Sequence, residues 1–192
     1  MQWQFTIYVA ILGLSTLIAA CVAVFAWRRR AVRGGAALAV LMVAVTVYAG
    51  ASALEAAAVG VPAKIFWSKV LYFGSMTSPS LLLIFALNYA GHDRWLKRPL
   101  LAALFILPVI AIGLVWTNES HNLIWTGFRP SLVGENLLIY DHGPAFWAIV
   151  VYLYLTVAAA TAVKIDDGKI FRQEARQFHC TGKFPETHRS AD

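Results

Sequence analysis

Apolar residues in this chain come in blocks of nearly uniform length, separated by short polar or charged interruptions. The blocks fall at about 4–27, 35–59, 67–90, 99–117 and 145–164. Each is near the roughly 20 residues a helix needs to cross the hydrocarbon core of a bilayer. The pattern predicts an all-α integral membrane protein, a bundle of five transmembrane helices. The longest interruption, 118–144, is not uniformly polar: "NLIWTGF" and "NLLIYD" flank "RPSLVGE". That arrangement predicts a short β-hairpin over one mouth of the bundle. Loops beyond about 12–15 residues are uncommon and often functional.

Composition agrees with this class. The chain has 192 residues, 59% of them hydrophobic and 14% charged, too few charges for an ordinary soluble domain. The first block is preceded by "MQWQ" and followed by "RRRAVR", the reverse of the charge order in a cleaved signal peptide, so it reads as an anchor. With the N-terminus outside, thirteen of the sixteen basic residues fall inside, leaving Lys64, Lys69 and Arg129 outside. The positive-inside rule therefore predicts a multi-pass plasma-membrane protein, N-terminus out and C-terminus in the cytoplasm. This asymmetry accounts for the net charge of +6, which is thus no argument for nucleic acid. The lipid bilayer is the expected partner.

Cysteine and histidine add little. Cys21 in the first span and Cys180 in the inner tail lie too far apart for a disulfide. His179, Cys180 and His188 fit no zinc spacing, so neither a metal nor a cofactor is expected.

Individual spans carry more. The second holds ten alanines and steps such as Ala49/Ala53/Ala57, which let neighbouring backbones approach closely. It also holds Glu55 near its outer end. There a carboxylate is either an interfacial group, wetted or paired with Lys64 or Lys69, or a signal-sensing or proton-linked group. The third span is polar in its middle, with Gly74, Ser75, Thr77, Ser78, Pro79 and Ser80. Proline removes a helical hydrogen bond, so Gly74 and Pro79 mark either a static kink or a hinge. Pro108 kinks the fourth span in the same way, whereas Pro99 and Pro144 sit at helix starts. "TNESHNLIW" (117–125) forms a polar collar between membrane and hairpin. Its Asn, Ser and His are either helix caps or, with His121, part of a site shared with Glu55.

Taken together, "ALEAAAVGVPAKIFWSKVLYFGSMTSPSLLLIFALNYAG", "PVIAIGLVWTNESHNLIW" and "GPAFWAIVVYLYL" resemble the N-terminal seven-helix membrane region found ahead of bacterial and archaeal histidine kinases. The shared pattern is a glutamate late in span two and W-x-K-x-x-Y-x-G opening span three. A proline in that span, a Thr-Asn-x-x-His-x-x-x-Trp collar and Gly-Pro-x-x-Trp opening span five complete it. The resemblance covers about 5–164, and "IFRQEARQ" is similar to the basic linker before the sixth span. By this resemblance Glu55, Trp67, Lys69, Tyr72, Gly74, Pro79, Asn118, His121 and Trp125 are family-pattern positions. It implies a sensory input region whose partners are a cytoplasmic kinase output module and, as an open arrangement, a second copy in a homodimer.

After residue 164 no apolar block follows, and spans six and seven and a kinase core are lacking. The chain thus reads as a stand-alone or truncated sensor: a membrane region over 1–164 and a polar cytoplasmic tail over 165–192, which is a natural truncation, a frameshifted end or an unstructured inner segment; its low hydrophobicity favours disorder, and no enzymatic activity is expected. The competing classes are a small transporter or channel subunit and a membrane enzyme. A transporter would show repeated, broken helices with midplane charges. An enzyme built on His121, Glu119 and Glu55 finds no compelling spacing.

Overall fold

A computed structural model describes residues 2–130, 136 and 138–163. Five of its helices are long and apolar enough to cross a membrane: α1 (Ile7–Arg28), α2 (Gly35–Ala57), α3 (Val61–Tyr89), α4 (Arg98–Trp116) and α6 (Pro144–Ala162). A single turn, α5 (Asn118–His121), follows α4. The expected hairpin is present as β3 (Trp125–Pro130) paired antiparallel with β4 (Leu138–His142). The all-α membrane bundle is therefore the fold. The tail, with His179, Cys180, His188 and "IFRQEARQ", lies outside the described residues.

The boundaries differ from the sequence reading for local reasons. The first span was expected from residue 4, but the helix starts at Ile7 because Thr6 is its N-cap, its hydroxyl accepting from the Val9 amide at 3.4 Å. Upstream, β1 (Gln2–Trp3) pairs with β2 (Ala58–Val59), which also ends α2 two residues earlier than the apolar block does. The largest correction is at α3. It starts at Val61, six residues before the expected 67, so the assumed loop 61–66 is helix. Gly60 turns the chain at φ 99°, and Pro62 lies in the first turn, where a missing N–H costs nothing. The last two spans end within two residues of expectation.

α3 is the hub. It packs against α2, α4 and α6, while α1 packs on α2. The α2–α3 crossing is closest at Gly74, where a Cβ would stand 2.4 Å from the Ala44 carbonyl oxygen and 2.6 Å from the Tyr48 amide nitrogen. No side chain fits there, which makes Gly74 a packing glycine whatever else it does. The strand pairs and α5 gather at one end of the bundle, the hairpin end. The arginine-rich turn 29–34 and the turn 90–97 lie at the other. At that second end the Asn88 side chain accepts from the Gly34 amide at 2.8 Å, and Arg33 Nε donates to the Asn88 carbonyl at 2.8 Å.

Candidate functional site

A helix leaves its last four carbonyls without intrahelical donors, and at a membrane surface each needs one. In α2 these belong to Leu54, Glu55, Ala56 and Ala57, and each finds a donor from a different place. The Ala58 amide bonds Leu54. The Lys64 ammonium of α3 donates to the Glu55 carbonyl at 2.9 Å. The Asn136 amide donates to Ala56 at 3.4 Å and to Ala58 at 2.8 Å. The Gln4 amide closes the set on Ala57 at 2.8 Å. The end of α2 is thus where the N-terminus, α3 and the hairpin region meet.

The Glu55 side chain joins the same junction. The Tyr140 hydroxyl of β4 donates to Glu55 Oε1 at 2.9 Å, and the buried Ser68 hydroxyl of α3 lies 2.5 Å from the same phenol oxygen. Since Tyr140 spends its one proton on the carboxylate, Ser68 is the donor in the second bond. Burial raises the pKa of the Tyr140 phenol above its ordinary value, so it keeps that proton at neutral pH. One phenol on the hairpin therefore holds α2 and α3 together.

Beside this chain lies an aromatic core. Trp125 is 3% exposed and meets Tyr72 edge-on at 5.5 Å, with Phe128 at 5.9 Å and Tyr140 at 5.5 Å. Such pairs contribute about 0.5–1.5 kcal/mol each beyond area burial. Asn118 fixes the start of β3. Its buried carbonyl oxygen accepts from the amides of Ile124 (2.9 Å) and Trp125 (3.1 Å), and its Nδ2 donates to the Trp125 carbonyl at 3.0 Å.

The remaining collar residues divide. Lys69, nearly buried on α3, donates to Glu119 at 2.5 Å and to the Trp116 carbonyl at 3.4 Å. The Lys69 ammonium holds the exposed Glu119 carboxyl below its usual range. His121 turns to its own strand of chain: Nδ1 accepts from the Leu123 amide at 3.0 Å, and Nε2 lies 3.2 Å from the Thr117 hydroxyl. Because the Thr117 proton goes to the Gly113 carbonyl, the ring is the Nε2–H tautomer, and it caps the turn that Asn122 completes at φ 51°. Thus Glu55, Tyr72, Lys69, Asn118 and Trp125 line one end of the bundle, but Glu55 and Lys69 have separate partners, and His121 bonds to neither. The Trp67 indole nitrogen is enclosed with no hydrogen-bond partner among the described residues; we have no physical account of it.

Farther into the bundle, the prolines have different consequences. In α3 the hydroxyls of Thr77 and Ser78 bond back to the carbonyls of Phe73 (2.6 Å) and Gly74 (2.6 Å). In α4, Pro108 cannot donate to Leu104, four residues earlier. That carbonyl instead accepts from Ser80 of α3 at 2.9 Å and from Tyr152 of α6 at 2.8 Å, and the two hydroxyls lie 3.2 Å apart. The sequence shows which carbonyl Pro108 releases, but not which hydroxyls take it. Tyr140, Ser68 and Tyr152 went unread for the same reason: each meets a partner more than 45 residues away.

A family model described as the N-terminal 7TM region of histidine kinase matches residues 11–181. No curated protein and no solved structure matches.

Proposed function

The chain belongs to the family of N-terminal 7TM regions of histidine kinases, and from that membership we propose that it is the membrane-embedded input region of a two-component signalling protein. The hairpin end faces outside and the arginine-rich end faces the cytoplasm. The membrane region extends over 1–164, and phosphoryl transfer belongs to a cytoplasmic output module rather than to these helices.

The observation that carries the reading is the Tyr140 phenol, bonded at once to Glu55 of α2 and Ser68 of α3. A ligand that lifts or presses the hairpin changes both helices together. α3 then extends from that contact to the Leu104 node shared with α4 and α6. Glu55 and Tyr140 are the sensing pair in this scheme, Lys69, Tyr72, Asn118 and Trp125 position the hairpin, and Gly74 and Pro79 lie on the helix that carries the motion.

Two measurements test it. In a cysteine-free background, single cysteines at Thr126 and Ala31 are exposed to a membrane-impermeant thiol reagent in intact cells; Thr126 labels and Ala31 does not. Equal labelling at both positions removes the orientation. Grafted onto a complete kinase of the family, Tyr140→Phe and Glu55→Gln each change the signal response with insertion intact, and the double variant is less than additive. An unchanged response in both would reduce the junction to a structural seal.

A further inference from the structure

Apart from Arg28, which ends α1, the cations of the two turns at the arginine-rich end fall into two groups. On the α1–α2 turn they are already engaged: Arg29 lies 5.0 Å over the Phe25 ring, Arg30 lies 5.2 Å over Trp27, and Arg33 bonds to Asn88. On the turn into α4 they are not. Arg94, Lys97 and Arg98 are exposed, and their side chains make no hydrogen bond or ion pair among the described residues. Arg94 and Lys97 stand over an open cavity of about 460 Å³ whose other walls are Trp95, Pro99 and Leu100.

The cavity is amphipathic in a particular order. Its cations lie in the turn before the span, at headgroup depth, since α4 begins at Arg98. Trp95, 57% exposed, supplies an aromatic wall of the kind enriched at membrane interfaces. Past Leu100 the exposed surface of α4 is apolar, with Ile106, Leu107, Val109 and Ile110 on it. A soluble anion would use only the first part of this surface. A glycerophospholipid would use all of it.

We propose that Arg94, Trp95, Lys97, Pro99 and Leu100 form a binding site for one anionic phospholipid. Its phosphate lies between Arg94 and Lys97, its glycerol lies against Trp95 and Pro99, and an acyl chain runs down α4. The site is independent of the hairpin-end junction and of which side of the membrane it faces. Juxtamembrane basic side chains attract acidic lipid, roughly fivefold in occupancy for each, so the pair Arg94 and Lys97 gives the site a marked preference for an anionic headgroup.

The test uses the full chain reconstituted in bilayers carrying brominated lipid as a contact quencher of tryptophan. The Trp95 contribution is the difference between the native chain and W95F. Bromine on phosphatidylglycerol is expected to quench that contribution several-fold more than bromine on phosphatidylcholine at the same mole fraction. The double substitution Arg94→Gln and Lys97→Gln removes the preference, whereas Arg29→Gln with Arg30→Gln, an equal loss of charge, keeps it. Equal quenching by the two lipids in the native chain overturns the proposal without reliance on any charge variant. So does a preference that survives R94Q/K97Q, which would make it a property of the whole basic surface. Abolition of the preference by excess inorganic phosphate at constant ionic strength also overturns it, in favour of a soluble-anion site.

Discussion

Two regions of this protein solve the same problem in opposite ways. At the end of α2, four carbonyls that the helix cannot satisfy each draw a donor from a different segment, one donor to a carbonyl. At the Leu104 node, one carbonyl released by Pro108 draws two hydroxyls, Ser80 and Tyr152, from two other helices. The difference follows the solvent. At the membrane surface water can replace a lost donor, so single cover suffices. Deep between helices nothing replaces it, and an unsatisfied carbonyl costs several kcal/mol. Double cover at the node also ties α3, α4 and α6 to one atom.

The largest effect expected from this contrast is cooperative. Ser80→Ala or Tyr152→Phe alone should cost about 0.5–1 kcal/mol in thermal unfolding of the purified protein, because the other hydroxyl still covers Leu104. The double variant should cost about 2–3 kcal/mol, more than the two together. Adding Pro108→Ala, which restores the N–H that Leu104 lacks, should recover part of that loss. Strict additivity without recovery would show that the hydroxyls do not share the carbonyl.

At the end of α2 a single change should suffice. Lys64→Met leaves the Glu55 carbonyl to water and should cost about 1 kcal/mol, with faster amide exchange confined to the last turn of α2. Loss of protection spread along α2 and α3 would mean that Lys64 holds the whole crossing rather than one helix end.

The smallest effect concerns Lys69 and Glu119. Lys69 holds the Glu119 carboxyl below its ordinary value of 4.5. A depressed folded-state pKa contributes stability above the unfolded value and loses it as the pH falls through the folded one. The pair's contribution should therefore be complete above about pH 4.5 and fade in more acidic solution. Glu119 is mostly exposed, so solvent screening keeps the contribution small. The unfolding temperatures of the native chain and Glu119→Gln should converge as the pH is lowered through this range. A gap that stays constant would assign the effect to something other than the charge.

Much of this was legible in the sequence, and what was not has common causes. Span count, the hairpin and the polar collar follow from hydrophobic block length and turn composition, which are local properties. Hydropathy places the start of α3 too late because "VPAKIF" lacks the hydropathy of a span, although Pro62 in a first turn and a glycine before it are signals of a helix start. Lys64 and Lys69 read as outer charges, yet both are buried, because each finds an oxygen on a neighbouring element. By sequence His121 is either part of a shared site or a cap; in the fold its bonds are within its own turn. Glu55 and Tyr140 stand 85 residues apart, and no pattern along the chain announces such a pairing.

The order of packing has a consequence for how the molecule is made. Each spanning helix after the first packs on one made before it: α2 lies on α1, α3 on α2, and both α4 and α6 on α3. A ribosome feeding the membrane one segment at a time therefore delivers every helix to a surface that is already waiting. The hairpin is the exception, because Asn136 and Tyr140 must reach back to the end of α2. Their bonds close only after four spanning helices have been synthesised, so formation of the Tyr140–Glu55 contact marks the docking of the hairpin on helices already in place.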